Sequence, residues 1–390
     1  MGKALFYSPL IALAVAFGVQ VMLSELLTGW TRQYTSPIYF TPARSIPDLS
    51  DKVAIVTGAN TGIGYNTALE LARAGADVIV AARNEAKGLD AVRRIQNEIA
   101  DTNGNANATM INKVQFLPLN LASLDSVEKF AKAFKALKMD LHTLVLNAGV
   151  MKSPGQMYVG EALTYGFGTT EDGFETHIGV NHIGHAYLTQ LLLDDLKATA
   201  AKSKSVDGSG SGTRIVSVSS MAEQGAPESG MAFDQWLPKG GKMPDAYEDG
   251  IAYGQSKLAN LMYAHELSLR LNGTGVQVFS CHPGVIASEL TRYMETEMEE
   301  KNANKGKIEK IMIQAFAALF NSAIMDVKLG SFTQLHLATA DLDTLVNGAF
   351  YHPVGKVTEP THPEAKNDVL RQQLWTETNK AIQQRSKYRV

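Results

Sequence analysis

The feature that most constrains this chain is a regular alternation of short apolar runs with longer helical patterns. Six runs are rich in β-branched residues and are predicted as strands: Val53–Thr57, Asp77–Ala82, Val114–Leu119, Thr143–Asn147, Arg214–Ser219 and Val276–Cys281. Helical patterns lie between the early strands, at Ile63–Ala74, Glu85–Ala100 and Ser123–Lys138. Nearly continuous apolar runs are typical of strands buried on both faces, and interleaved helices are typical of parallel sheets. The pattern therefore predicts an α/β domain with a doubly wound parallel sheet.

Composition excludes several other classes of protein. Apolar residues make up 45% of the chain and charged residues 19%, which is typical of a globular domain. The 36 basic and 39 acidic residues give a net charge of −3, so no basic face is available for nucleic acid. A single cysteine, Cys281, excludes an internal disulfide framework and a multi-cysteine metal site. We therefore expect chemistry that depends on other side chains and an organic cofactor, without a metal ion.

The N-terminal residues 1–30 differ from the rest of the chain. Ala4–Leu23 contains no charged residue, and 20 helical residues span about 30 Å, the thickness of a bilayer core. This run predicts a membrane anchor; a cleaved signal peptide is the alternative, although its apolar stretch is usually shorter, about 7–15 residues. Prolines at 37, 42 and 47 predict an extended linker over residues 31–48. The domain itself is predicted at residues 49–355, with a C-terminal extension at residues 356–390.

A glycine-rich turn follows the first predicted strand. Its glycines, Gly58, Gly62 and Gly64, are spaced G-x-x-x-G-x-G and stand directly before a helix. Glycine allows the backbone to turn tightly and to approach a pyrophosphate, which then lies on the helix N-terminus. A glycine cluster alone is a common feature, but its position between a strand and a helix makes it a dinucleotide-binding signal. The predicted contact residues are Gly58, Asn60, Thr61, Gly62, Ile63 and Gly64.

The residue that follows the second strand bears on cofactor choice. An acidic residue there would bind the ribose 2′-hydroxyl of NAD(H), whereas an arginine can accommodate the 2′-phosphate of NADP(H). The segment Ala81–Asn84 contains Arg83 and no acid. The sequence therefore favours NADP(H) over NAD(H), although an ordinary surface arginine is the alternative explanation.

Together these motifs resemble the short-chain dehydrogenase/reductase family. The resemblance covers residues 49–355 and rests on the glycine turn, on Asn147-Ala148-Gly149 and on Tyr253-Gly254-Gln255-Ser256-Lys257. The segments TEDGFE, VNHIGH, AYGQSKLANL and HPGV are similar to the retinol-dehydrogenase-like branch. The resemblance implies a Rossmann-type fold and a hydrophobic alcohol or carbonyl substrate of the retinoid, steroid or lipid-aldehyde type. Several members carry N-terminal membrane anchors, so we expect a single-pass protein of the endoplasmic reticulum; a homodimer remains open.

Tyr253 and Lys257 are the predicted acid–base pair. They are four residues apart, so on a helix their side chains share one face. A phenol has an ordinary pKa near ~10, and we expect a nearby ammonium to lower the pKa of Tyr253 enough for proton exchange. The resemblance implies that Lys257 also holds the nicotinamide ribose.

Two further residues are predicted to act in the reaction. Ser220 lies at the tip of the fifth predicted strand, where it would polarise the substrate oxygen, and Ser219 is the fallback. Asn181 matches the family asparagine that supports a water-linked proton relay, and a structural hydrogen bond is its alternative role. His182 and His185 are interpreted as packing or capping residues.

The resemblance also implies cofactor contacts at other strand ends. Asn120 replaces the usual aspartate near the adenine, and Ser288 replaces a usual threonine in the loop that binds the carboxamide. The predicted contacts are Asn120, Leu121, Asn147, Ala148, Gly149, Pro283, Gly284, Val285 and Ser288, together with Tyr253 and Lys257.

The sequence thus predicts an NADP(H)-dependent oxidoreductase that interconverts a hydrophobic alcohol and its carbonyl. Two alternatives stand beside it. One is a protochlorophyllide-reductase-type enzyme that reduces a carbon–carbon double bond, although such enzymes usually contain several cysteines. The other is a non-catalytic module that binds cofactor or partners, although such a module would not need the proton donor that Tyr253 provides.

Overall fold

The computed structural model describes residues 40–102, 113–151, 155–159, 162–203, 212–244, 247–284, 286 and 325–386. The chain divides into two compact units, residues 1–39 with 285–326 and residues 40–284 with 327–390. The predicted anchor and most of the predicted linker lie outside the described residues. Among the residues described, no helix is both long and apolar enough to cross a membrane.

The second unit is built on an eight-stranded sheet in the order β3-β2-β1-β4-β7-β8-β9-β10. All neighbouring strands are parallel except β9 and β10. The strands are β1 Val53–Thr57, β2 Asp77–Ala82, β3 Val114–Pro118, β4 Thr143–Leu146, β7 Thr213–Val218, β8 Val276–Cys281, β9 Phe350–His352 and β10 Lys356–Val357. A separate antiparallel pair is formed by β5 Gly155–Val159 and β6 Ala162–Gly166. The predicted doubly wound α/β fold is confirmed, and the six predicted strands agree within one residue at either end.

Helices cover both faces of the sheet. We call α1 Gly62–Arg73, α2 Glu85–Thr102 and α6 Val327–Thr339 the first layer. The second layer consists of α3 Leu124–Ala136, α4 Gly184–Ser203, α5 Asp249–Arg270 and α7 Asp368–Arg385. Strand side chains alternate between the two: Ile55 and Leu144 pack with the second layer, Val56 and Val145 with the first. Both faces of the central strands are therefore buried.

The ends of the domain are more closely packed than the sequence indicated. Within the described part of the predicted linker, Pro42–Ser45 forms a helical turn and Phe40 packs edge-on against Phe332. At the other end, α7 lies on α5, where Trp375 stacks on Tyr263 at a centroid distance of 5.0 Å. Residues 356–386 thus contribute a strand and a helix to the same compact unit.

Candidate functional site

The turn between β1 and α1 forms a cradle of backbone at the carboxyl edge of the sheet. Gly58 has a φ of +67°, a left-handed conformation that strains other residues. A Cβ on Gly64 would meet the Gly58 carbonyl oxygen at 2.6 Å, so the two ends of the turn approach too closely for a side chain. Thr61 precedes α1 without capping it through its side chain. The first N–H groups of a helix have no intrahelical acceptor, and in α1 the side chain of Thr61 does not provide one. The cradle therefore fits a pyrophosphate.

Thr57 ties this turn to the end of β4. Its hydroxyl oxygen accepts the backbone N–H groups of Asn147 at 2.9 Å and of Ala148 at 3.0 Å, and lies 2.9 Å from Nε2 of His185. Burial lowers the pKa of His185 to about 4, so the ring is neutral. Its Nδ1 lies 3.0 Å from the carbonyl of Asn181 and must donate there, which leaves Nε2 to accept from Thr57. The predicted cofactor residues Asn147 and Ala148 are thereby locked beside the cradle.

From the sequence alone Thr57 has no predicted role, and His185 is interpreted as a packing or capping residue. The signal that could have found the connection is a hydroxyl residue at the buried end of a strand that precedes a glycine turn. Its partner, however, lies 128 positions away in sequence. Only the packing of α4 on the sheet brings the two together.

Two residues predicted to contact the adenosine side have different environments. Arg83 follows β2 and is exposed, and within the described residues it forms no hydrogen bond or ion pair. The Asn120 side chain is already engaged: its amide donates to Glu171 at 2.9 Å and its oxygen accepts from the Ala122 N–H at 3.2 Å. Leu121 is buried in the core next to α4. Arg83 is thus available to a ligand, whereas Asn120 must share or exchange its partners.

Tyr253 and Lys257 lie on the first half of α5, with the Lys257 ammonium 5.6 Å from the centroid of the Tyr253 ring. The ammonium donates to the Val218 carbonyl at 3.2 Å. A Cβ on Gly149 would lie 3.3 Å from it, so the predicted Asn147–Gly149 segment passes directly over the lysine. Burial lowers the pKa of Lys257 to about 8. The amine is therefore still mainly protonated at neutral pH.

The two serines at the end of β7 have different roles. Ser219 is buried, and its hydroxyl donates to the carbonyl of Lys257 at 2.6 Å. Ser220 is half-buried, accepts from the Ala222 N–H at 3.1 Å and lies close enough to the Tyr253 phenol to act on its pKa. Ser219 thus holds α5 to the strand, whereas Ser220 lies beside the phenol.

The electrostatic state of Tyr253 differs from the expectation. Burial raises its pKa to about 12, although the neighbouring Ser220 hydroxyl acts in the opposite direction. The expected lowering by Lys257 is absent in this structure, because loss of hydration disfavours the phenolate more than the neighbouring groups favour it. A proton therefore stays on Tyr253 until substrate or cofactor changes its surroundings.

Asn181 connects the sheet to α5. It lies in a π-helical turn, Ile178–Ile183, that leads into α4. Its side chain accepts from the N–H of Val150 at 2.7 Å and donates to the Val150 carbonyl and to Ser256, each at 2.9 Å. Ser256 in turn donates to the carbonyl of Tyr253 at 2.7 Å. Asn181 therefore makes core hydrogen bonds, and it stands beside Gly149 within reach of the same space as Lys257.

The segment after β8 completes this edge of the sheet. Pro283 and Gly284 are described, and Gly284 has a φ of +100°. His282 is buried before them, with its ring edge-on to that of His352 at 5.3 Å. The predicted contacts Val285 and Ser288 lie outside the described residues.

The chain is similar in sequence and in fold to several known proteins. Residues 52–233 match the family model for short chain dehydrogenases. The chain is 35% identical over 344 residues to an uncharacterized oxidoreductase of Schizosaccharomyces pombe, covering 87% of each chain. It is 34% identical over 339 residues to retinol dehydrogenase 12 of Homo sapiens, covering 85% of this chain and 86% of that protein. A crystal structure of an uncharacterized protein from Mycobacterium paratuberculosis is 28% identical, with a TM-score of 0.57 over 88% of this chain and 97% of the other.

The fold, the glycine cradle and these matches define the class of protein: an oxidoreductase that acts on CH–OH groups with NAD(P)(H). The chain belongs to the short-chain dehydrogenase/reductase family, in its retinol-dehydrogenase-like branch.

Proposed function

We propose that this protein is an NADP(H)-dependent oxidoreductase that interconverts a hydrophobic alcohol and its carbonyl. The observation that carries the proposal is the convergence of Ser220, Tyr253 and Lys257 on one edge of the sheet, beside the glycine cradle. A protein that only binds a dinucleotide has no use for a half-buried phenol beside a buried ammonium in this arrangement. Their burial costs free energy that a binding module would avoid.

The chemistry follows from what these side chains can donate. A bound nicotinamide supplies or accepts the hydride. During reduction, the hydroxyls of Ser220 and Tyr253 donate hydrogen bonds to the carbonyl oxygen, and the Tyr253 proton passes to that oxygen as charge develops on it. The carbonyl thus gains one hydride at carbon and one proton at oxygen; oxidation is the reverse. Lys257 stabilises the resulting phenolate, and Asn181 holds Val150 and α5 in register.

The choice of NADP(H) depends on Arg83. An exposed guanidinium at the end of β2, with no acid at that strand end, can form charge-assisted hydrogen bonds to a 2′-phosphate. We expect Arg83→Ala to weaken NADPH binding about 10-fold, the effect of losing about 1.4 kcal/mol, and to leave NADH binding unchanged. Fluorescence titration of both cofactors measures this. Arg93→Ala is the matched control, because Arg93 is an exposed arginine on α2; equal effects of the two variants would contradict the assignment.

The hydrophobic substrate class and the membrane location belong to the same proposal. The uncharged run at residues 4–23 supports a retained N-terminal anchor, with the domain held at a membrane of the endoplasmic reticulum. A lipophilic retinoid, steroid or lipid aldehyde partitions into that membrane. Cell fractionation of the full chain and of a chain that lacks residues 1–30 tests the anchor.

Tyr253→Phe tests the catalytic proposal. The variant keeps the ring but removes the only atom that can transfer the proton, so we expect kcat to fall about 1,000-fold while the Kd for NADPH stays within twofold. The measurement is a screen of hydrophobic aldehydes, ketones and alcohols with NADPH and NADH side by side.

Tyr263→Phe is the control for this test. Tyr263 lies on the same helix and is buried against Trp375, and its hydroxyl has no hydrogen-bond partner that satisfies standard geometry among the described residues. Full activity is expected there. Turnover retained by Tyr253→Phe would overturn the mechanism, and a wild-type protein that binds NADPH but turns over nothing would favour the non-catalytic module.

A further inference from the structure

A group of ionisable side chains, buried at its centre and half-buried at its edge, lies against Tyr253 and takes no part in the chemistry described above. It consists of Glu175, His177, Tyr247 and Asp249. Glu175 and His177 precede the π-helical turn that carries Asn181, Tyr247 lies in the segment between Ser220 and Tyr253, and Asp249 is the first residue of α5. Glu175 is 2% exposed and His177 is fully buried. Burying an ionised pair is costly unless both members are well satisfied, so the cluster requires an explanation.

Glu175 is satisfied as a carboxylate. One of its oxygens accepts from the N–H of His177 at 2.9 Å, from Nδ1 of His177 at 2.8 Å and from the Tyr247 hydroxyl at 3.0 Å. The other accepts from the N–H of Ile178 at 2.9 Å. Burial raises the pKa of Glu175, but the bonds and charge of His177 and the backbone donors outweigh it, so the net pKa lies below its ordinary value. Glu175 is therefore ionised at neutral pH.

His177 faces acceptors on more than one side. Its Nδ1 must carry a proton, because the Glu175 oxygen next to it can only accept. Its Nε2 lies 3.7 Å from Oδ1 of Asp249, with the Met151 carbonyl nearby, although neither oxygen meets hydrogen-bond geometry at that nitrogen. Burial lowers the pKa of His177, but Glu175, Asp249 and Met151 raise it above its ordinary value overall. The neighbouring acceptors thus favour the cationic imidazole in a site where burial alone would favour the neutral ring.

The same imidazole contacts the proposed proton donor. The rings of His177 and Tyr253 meet edge-on, at a centroid distance of 6.1 Å and an interplanar angle of 71°. The Lys257 ammonium stands 5.6 Å from the same Tyr253 centroid. The Tyr253 ring therefore lies beside both the His177 imidazole and the Lys257 ammonium, and its backbone carbonyl is held separately by Ser256. Only His177 has its own orientation fixed by a buried carboxylate.

We propose that His177, held by Glu175 and Tyr247, is a positioning residue that fixes the orientation of the Tyr253 ring. Tyr247 connects this cluster to the segment directly after β6, because its ring packs edge-on against that of Phe167 at a centroid distance of 5.1 Å. This inference rests on the proposed function for its catalytic meaning, but the contact itself can be tested without turnover.

The arrangement has a consequence for pH dependence. The titratable groups that face His177 are Glu175, Asp249, Tyr247 and Tyr253, and burial and the two carboxylates raise the pKa of Tyr247 out of the working range. Deprotonation of His177 above its own pKa removes the charge that holds it between Glu175 and Asp249. We therefore expect Tyr253 to sense an ionisation that lies above pH 6.5 and well below the pKa of its own phenol.

The experiment is ¹⁹F NMR of the full chain labelled with 3-fluorotyrosine. The resonance that is missing from the Tyr253→Phe spectrum identifies Tyr253. In the wild-type protein this resonance should shift with the His177 ionisation, and in His177→Gln the shift should be lost. In parallel, His177→Gln should lower kcat about 10-fold, remove the same ionisation from the pH profile of kcat/KM, and change the NADPH Kd by less than twofold.

A control and a second variant make the outcome decisive. His142→Gln alters a histidine at the opposite, amino edge of the sheet, where it accepts from the Val53 N–H at 3.1 Å, and should leave the Tyr253 titration unchanged. If His177→Gln does not fold, Tyr247→Phe tests the proposal instead. This variant removes one donor to Glu175 and should move the midpoint of the pH-dependent shift of the Tyr253 resonance by about half a pH unit. A Tyr253 resonance that titrates identically in the folded variants and in wild type would overturn the proposal. The expected titration without turnover of any substrate would instead sustain the contact and refute the enzymatic function.

Discussion

The two helical layers of this domain bury very different chemistry. The first layer, formed by α1, α2 and α6, buries apolar side chains such as Leu71 and Leu335 and uncharged polar ones such as Gln334. The second layer, formed by α3, α4, α5 and α7, buries Lys257 and a complete ion pair between Glu266 and Arg371 at 2.8 Å, and Asn181 lies in the turn that opens α4. Apolar contacts tolerate small adjustments, whereas each buried polar group needs a partner with defined geometry. The second layer thus specifies one arrangement, and the proposed proton-transfer groups lie within it.

The largest expected effect tests the apolar layer. Leu71 on α1 is 1% exposed, and Leu71→Ala should lower the free energy of unfolding by about 2–5 kcal/mol through lost burial and a residual cavity. Urea denaturation measures the loss. Turnover per folded molecule should stay within twofold of wild type. A large loss of turnover in folded Leu71→Ala would mean that apolar packing in the first layer also controls the proposed proton-transfer groups of the second layer.

The second prediction concerns the free-energy cost of burying the Lys257 ammonium in the folded protein. The pKa of Lys257 is lowered to about 8 by burial, against 10.5 in the unfolded chain. The unfolded chain therefore binds more protons between about pH 8 and pH 10.5, and the contribution of Lys257 to stability rises with pH across that window. Relative to Lys257→Met, the wild-type protein should gain about 3 kcal/mol between pH 7.5 and pH 10.5.

Urea denaturation of both proteins across this pH range measures the difference. The comparison with Lys257→Met cancels the titration of tyrosines and other lysines. A difference that stays constant with pH would show that the ammonium is hydrated rather than buried. Lys257 would then no longer count as a buried charge that distinguishes the second layer from the first.

The smallest expected effect tests the connection between the cradle and the second layer. Thr57→Val keeps the shape of the side chain but leaves the N–H groups of Asn147 and Ala148 and the ring of His185 without their partner. We expect a loss of about 2 kcal/mol in the free energy of unfolding and a raised Kd for NADPH.

Thr339→Val is the matched control for this prediction. The Thr339 hydroxyl is buried in the first layer but donates only to the Leu335 carbonyl four residues earlier in α6 at 2.8 Å. That carbonyl can keep its helical acceptor role, so the loss should be under about 1 kcal/mol. Equal losses in the two variants would contradict the special role of Thr57.

Much of the architecture could be predicted from local patterns. Strands such as Val53–Thr57 and Asp77–Ala82 are continuous apolar runs, and their boundaries agree with the structure. The short strands β9 and β10 were not predicted, because three and two residues carry too little periodicity to stand out. The helix α7 was assigned to an extension, since its sequence is polar and its buried residues are recognisable only once α5 provides a surface.

The sequence by itself determined the order of strands and helices, the position of the glycine turn and the spacing of Tyr253 and Lys257, because all of these are local properties of the chain. Tertiary structure alone decided which distant groups share a low-dielectric interior. The placement of His185 against Thr57 and of His177 against Tyr253 is one result. The direction of the pKa of Tyr253 is another: spacing predicts a neighbouring charge, but only packing shows how much water the phenol has lost.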